Sequence, residues 1–348
     1  MNRRSLLPPA TLALVRLFER RTRALNRQLA AAVAGKDTGV HQARVASRRL
    51  RETIPVLTEG LPHTKAGKAT RKIRRLTGAL GMVRELDVTL HLIDELAERP
   101  AVPRAALGEV RALVIEEREQ RRAVMLERLE HVDSAKLSRR LESVRQALMV
   151  PAPGHAWRAN LAGRIARRAR RLERAIEQAG QIYEPEGLHQ VRIAAKKLRY
   201  ALEIADESGA APCGDALRVI KRVQDALGRL HDLQVLQHHV AAVGAAPRNR
   251  RSTPDAGLAV LARTIEDECR HLHGRYVAAL PDLTVAVAAA RRAIPVTLTS
   301  RKRSVKMTLP ARRRAAAGPR ASGVPARAAR ADGRASGASR GPARAGRR

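Results

Sequence analysis

The chain has 348 residues, enough for two domains of ordinary size, and carries a formal net charge of +35, with 68 Lys and Arg against 33 Asp and Glu. So basic a balance points to an acidic partner: nucleic acid, polyphosphate or an anionic membrane surface. Aromatic residues are only 1% of the chain, which excludes the stacking platforms of single-strand base readers, so phosphates rather than bases are the expected contact.

The predicted elements are all helical. An apolar-periodic run from Pro9 through Leu12, Val15, Phe18, Leu25 and Leu29 reads as a first helix ending near Gly35. A second follows Asp37 and Thr38, with Pro55 expected to kink or shorten its end. A third opens after Pro62 and is weakened at Gly78 and Gly81, glycines for which close helix packing or a bend is the usual reason, with the pattern resuming from Arg84 to about Ala97. Leu107 to Leu129 marks a long helix, and Asp133-Ser134 can cap a shorter one. Pro151-Ala152-Pro153-Gly154 reads as a linker. The second half repeats the plan: helices over about 156–183, from Pro185 to Glu207, over about 214–240, from Leu258 to Val277, and a short one after Pro281. From about Ser300 the chain is Arg, Ala, Gly, Pro and Ser, with 15 Lys or Arg and one acid, Asp332. Such a tail cannot bury enough surface to offset its chain entropy, so a disordered basic tail over 300–348 is expected.

One motif occurs twice. His-Gln-Ala-Arg-Val-Ala-Ser-Arg-Arg-Leu-Arg runs from His41 to Arg51, and His-Gln-Val-Arg-Ile-Ala-Ala-Lys-Lys-Leu-Arg from His189 to Arg199. On a helix, His41, Arg44, Arg48 and Arg51 fall within an arc of roughly 80°, with Ala43, Leu50, Ile54 and Leu57 elsewhere. His189, Arg192, Lys196 and Arg199 repeat the stripe. Arg71, Arg75, Leu80, Gly81 and Arg84 likewise recur as Arg218, Arg222, Leu227, Gly228 and His231. Two motifs in the same order at nearly one offset indicate a duplicated unit of about 150 residues. Arginine suits phosphate because its planar fork donates two parallel hydrogen bonds, whereas lysine acts as a point charge. A histidine can donate to a phosphate oxygen whether neutral or charged.

Other chemistry finds little support. Glu85, Asp87 and Asp232 are too few for a carboxylate-held metal and are expected to pair with neighbouring cations. His238, His239, His271 and His273 lack a convincing third ligand, and Cys213 and Cys269 form no CxxC pair. There is no Walker-type loop and no nucleophile elbow. No catalytic residue, metal or cofactor is therefore expected. No run approaches the roughly 18 uncharged apolar residues of a membrane span, and the short apolar run after Arg3 and Arg4 does not read as a signal peptide. A soluble, cytoplasmic, non-enzymatic protein is the expectation.

The repeated His-x-x-Arg-(Val/Ile)-x-x-(Arg/Lys)-(Arg/Lys)-Leu-Arg, followed by Leu-Gly-x-x-Arg-Glu-x-Asp from Leu80 and Leu-Gly-x-x-His-Asp from Leu227, resembles the CHAD family, the conserved histidine α-helical domains. The resemblance covers roughly residues 8–293 and implies an all-α fold. Its two pseudosymmetric four-helix bundles, 8–150 and 154–293, would surround a basic channel that binds inorganic polyphosphate without catalysis. By motif match it implies phosphate-binding roles for His41, Arg44, Arg48, Arg51, Arg71, Arg75 and Arg84, and for His189, Arg192, Lys196, Arg199, Arg218, Arg222 and His231. It implies an association with polyphosphate granules. The tail lies outside it, and nucleic acid, with a nucleoid association, is the partner the tail's charge suggests. Glu85 departs from the family's usual Asp.

Overall fold

The computed structural model describes residues 8–34, 37–61, 65–150, 157–246 and 256–294. The expected tail and the 151–154 linker lie outside the described residues. Within them the chain is all-α: α1 (Pro9–Val33), α2 (Asp37–Thr58), α3 (Ala66–Ala97), α4 (Arg104–Glu130), α5 (Ser134–Leu148), α6 (Trp157–Ala179), α7 (Pro185–Glu207), α8 (Gly214–Ala245), α9 (Ala256–Ala278) and α10 (Leu280–Arg292). The first five have 25, 22, 32, 27 and 15 residues and the second five 23, 23, 32, 23 and 13. Each half thus has four long helices, with a short fifth packed back on its first and third.

Neither the proline nor the glycines interrupt their helices. α2 runs through Pro55, and α3 runs unbroken through Gly78 and Gly81. A helix glycine costs about 1 kcal/mol relative to alanine. Burying Leu76, Leu80 and Val83 on either side of these glycines contributes about 1.5–3 kcal/mol each. Pro55 lies in the last turn, where the buried Ile54, Val56 and Leu57 hold the helix to the core. The stripe helices end alike: Gly60 (φ 84°) and Gly209 (φ 69°), each two residues beyond the last helical residue, take the left-handed turn that glycine favours.

Their beginnings also match. Gly39 and Gly187, each two residues before the stripe histidine, lie against the end of the preceding helix. A Cβ on Gly39 would sit 2.6 Å from the Ala31 carbonyl carbon, and one on Gly187 3.3 Å from Ala179 Cα. These glycines let each stripe helix turn back in close contact and so set where its histidine stands.

One continuous core links the halves, with α2 against α6 and α7, α3 against α8, and α4 against α8 and α9. Ion pairs reinforce the join: Arg99 with Glu268 at 2.8 Å, Arg229 with Glu95, and Arg49 with Glu203 at 3.2 Å. Two arginines at matching positions act as a reciprocal clamp. Arg21 of α1 donates to the Arg49 carbonyl at 3.3 Å and to Glu207 of α7 at 2.8 Å. Arg168 of α6 donates to the Lys197 carbonyl at 2.6 Å and to Glu52 of α2. Each thus fixes the stripe helix of its own half and grips an acid of the other. The Arg21 side chain is only 4% exposed, so Arg21→Ala should leave Thr53 without its donor and Glu207 with Arg20 alone. The expected loss of stability is roughly 2–4 kcal/mol, below the full value for a buried pair because Glu207 still reaches solvent. Urea unfolding followed by circular dichroism measures it, and a loss near zero would show that the clamp carries no load.

Candidate polyanion-binding site

The two stripes face each other. Lys196 of α7 is largely buried, and the charges acting on its ammonium come from Arg192 and Arg199 of its own stripe and from Arg44 and Arg48 of α2. Burial first, and these four arginines second, pull its pKa down to about 7. Arg192 feels Arg48 and Glu85 across the same space, and Arg44 feels Arg48, Glu85, Tyr200 and Arg84. Burial brings Arg44 down to about 10 and lowers Arg192 and Arg84. Cations stripped of water and held together are unfavourable unless an anion joins them.

The two halves place their histidines alike. His41 Nδ1 lies 2.7 Å from Arg84 Nε, and the His189 and His231 rings lie 4.9 Å apart between centroids, tilted at 45° to each other. In each case the stripe histidine meets the residue three places after the Leu-Gly pair. A guanidinium can only donate, so His41 Nδ1 accepts, and the neutral ring carries its proton on Nε2. Burial, then Arg84, Arg44 and Arg48, lower the His41 pKa, while burial, then Arg192 and His189, bring His231 to about 4. Both rings are therefore neutral donors at neutral pH.

Gly81 serves Arg44. The Arg44 guanidinium passes over it closely enough that a Cβ there would lie 3.4 Å from Nε and 3.5 Å from Nη2. The matching Gly228 has nothing within 4 Å, so the halves differ here.

The acids behave differently from one another. Asp87 is taken by Arg118 of α4 at 2.8 Å, as expected for a pairing carboxylate. Asp232 sits among Arg192, Arg84 and Lys196, yet burial outweighs them and raises its pKa. Arg51 reaches Glu52 at 3.6 Å, and Arg199 reaches Glu203 at 3.5 Å with its guanidinium 5.3 Å from the Tyr200 ring centre. Tyr200, buried between the stripes, gave no sign in the sequence beyond adjoining the second motif.

Four expected site residues are not part of this gathering. Arg71, Arg75, Arg218 and Arg222 are exposed, and none acts on the central cations. Nine residues of helix turn through about 900°, so Arg75 projects roughly half a turn away from Arg84, as Arg222 does from His231. Arg218 instead pairs with Asp215 and Arg222 with Asp282 at 3.6 Å. Among the described residues no group of three His, Cys, Asp or Glu could hold a metal ion, and no helix is long and apolar enough to cross a membrane. Cys213 and Cys269 are free and buried.

An all-helical chain with paired histidine-led cation stripes facing inward defines a class, and comparison agrees. The CHAD domain model matches residues 16–241, and the chain belongs to that family. A crystal structure of the CHAD domain from the plant Ricinus communis is similar at a TM-score of 0.57 and 21% identity, covering 80% of this chain and 91% of that one. PptA from Streptomyces chartreusis is similar at a TM-score of 0.50 and 16% identity, covering 79% and 98%. At these identities the likeness is one of fold. No curated protein matches the chain.

Proposed function

We propose that this chain binds inorganic polyphosphate, without hydrolysing it, between the stripes of α2 and α7. The observation that carries this reading is Lys196, a largely buried ammonium ringed by four arginines from both halves. A slender, flexible chain of phosphates can enter such a recess, neutralise the cations and accept from the His41 Nε2–H. A duplex, far wider and stiffer, meets only the rim and the outer arginines. Nucleic acid remains the second reading because of the +35 charge, of which residues 300–348 hold a large share. A cytoplasmic location beside polyphosphate granules or the nucleoid accords with either partner.

The test compares the full chain with one ending at Ile294, titrated with long-chain polyphosphate, duplex DNA and single-stranded RNA. Polyphosphate affinity should survive the truncation while DNA affinity falls most. Equal losses for all three polymers would contradict a built polyphosphate site. Incubation with polyphosphate and Mg²⁺ should release no phosphate. Release that disappears on His41→Ala or Glu85→Gln would make the protein an enzyme.

A further inference from the structure

Lys196 is the one position in the paired stripes where a guanidinium gives way to an amine. His41, Arg44, Arg48 and Arg51 match His189, Arg192, Lys196 and Arg199, so the place of Lys196 is filled by Arg48 in the first half. A guanidinium holds a phosphate there at least as well, through its planar fork, and it stays protonated. The amine is therefore not needed for its charge. What it adds is a nitrogen lone pair whenever its proton leaves, which makes lysine the nucleophile of the two.

The surroundings favour that free amine. Lys196 lies four residues after Arg192 and three before Arg199 on one face of α7, and Arg44 and Arg48 meet it from α2. His231 and Asp232 face it from α8. Lys197, the next residue, is exposed to solvent. Burial first, and the four arginines second, bring the Lys196 ammonium down to about 7, so about half of the molecules carry the free amine at neutral pH. The four guanidiniums that repel an ammonium would hold an anion in its place. The reagent that suits this amine is small enough for a largely buried position and leaves a negative charge behind.

We propose that Lys196 takes up carbon dioxide as a carbamate, and that this modification closes the recess to polyphosphate. The nitrogen lone pair attacks the carbon of CO2, the N–C bond forms as one C–O π pair withdraws to oxygen, and one N–H proton leaves to solvent. Amine and CO2 thus give a carbamate anion and a proton, with no oxidation or reduction. Two carboxylate oxygens then stand where the ammonium stood, and Arg44, Arg48, Arg192 and Arg199 supply donors to them. Asp232 opposes the new anion, but the four guanidiniums outnumber it. The side chain changes from positive to negative, so a polyanion loses an attraction and meets a repulsion. The competition rests on the polyphosphate reading; the carbamate does not.

Carbon-13 NMR of the full chain in labelled CO2 and bicarbonate near neutral pH should show a carbamate resonance that Lys196→Met lacks. Trapping by alkylation followed by peptide mass mapping should place it on Lys196. The signal should fade about one unit below the titration of the amine, where the ammonium is retained. Polyphosphate titrations at fixed pH and ionic strength, with bicarbonate exchanged for chloride, read the competition. Apparent affinity should fall about twofold when half of Lys196 is carbamylated, because only the unmodified half is competent. In Lys196→Met, CO2 should not move the affinity of that variant. Absence of a carbamate at Lys196 overturns the proposal and leaves the polyphosphate reading standing. A carbamate without loss of affinity, or an equal loss in Lys196→Met, overturns the competition. Failure of the native chain to bind polyphosphate even without CO2 sinks the polyphosphate reading and the competition with it, while NMR without polymer still decides the carbamate.

Discussion

Replacing Arg44, Arg48, Arg192 and Lys196 together with alanine should lower polyphosphate affinity by two to three orders of magnitude at about 0.1 M salt. The figure follows from counterion release, in which log affinity falls with log salt by about 0.7 for each phosphate neutralised on a flexible single chain. Six cations meet at the site: Arg44, Arg48, Arg84, Arg192, Lys196 and Arg199. The native slope should therefore be near −4, and the variant, with two of the six left, near −1.4. Helicity should be kept, because alanine is a strong helix former. Folding should not suffer either, since the substitutions remove buried like charges. Titrations at several salt concentrations, on the chain ending at Ile294, give both numbers. An affinity and slope near those of the native chain would mean that the stripes are not the site.

The second large effect is a pair of opposite pH dependences at Lys196. In the free protein its ammonium titrates near 7, against an ordinary value of 10.5. A polyanion favours the charged form, so binding takes up a proton above pH 7. Affinity should then fall as pH rises from 7 toward 9, by up to about tenfold per unit from this group. Stability of the free protein should move the other way. Between pH 7 and 10.5 the unfolded chain binds the lysine proton and the folded chain does not, so the folded state gains stability as pH rises through that window. Lys196→Met should flatten both trends. Binding measured by titration and unfolding by urea, each from pH 6 to 9.5, check the two signs. Slopes of the same sign would place Lys196 outside the site.

The helices were legible because their apolar residues recur with helical spacing, and the stripes because they occur twice. What the repeat could not say is which copied residues share a site. Arg71 and Arg75 recur as Arg218 and Arg222 as faithfully as His41 recurs as His189, yet they project away from Arg84 and His231 and meet solvent or nearby acids. Repetition preserves a position in the fold, and only the turn of the helix decides where that position faces. The glycines show the reverse. Gly81 suggested a weak point in α3, but its meaning depends on Arg44, which arrives from another helix. Gly39 and Gly187 stand at the same offset as the two histidines, so a signal was there, although nothing in a short Gly-x-His stretch shows that a neighbouring helix lies against it. Arg21 and Arg168 were hidden differently, as two cations among 68.

The arginine clamp has a consequence for how copies of this chain meet one another. Arg21 and Arg168 occupy matching places, but the acids they grip do not. Glu52 corresponds to Tyr200, and Glu207 to Glu59. The two halves are therefore complementary rather than interchangeable. A first half offered another first half in place of its own second would find Glu59, again a glutamate, opposite Arg21, whereas a second half offered another second would find Tyr200 where Arg168 needs Glu52. Exchange of halves between molecules, the usual hazard of a duplicated helical chain, can then satisfy the Arg168 clamp only by pairing a second half with a first. Two second halves therefore cannot clamp one another.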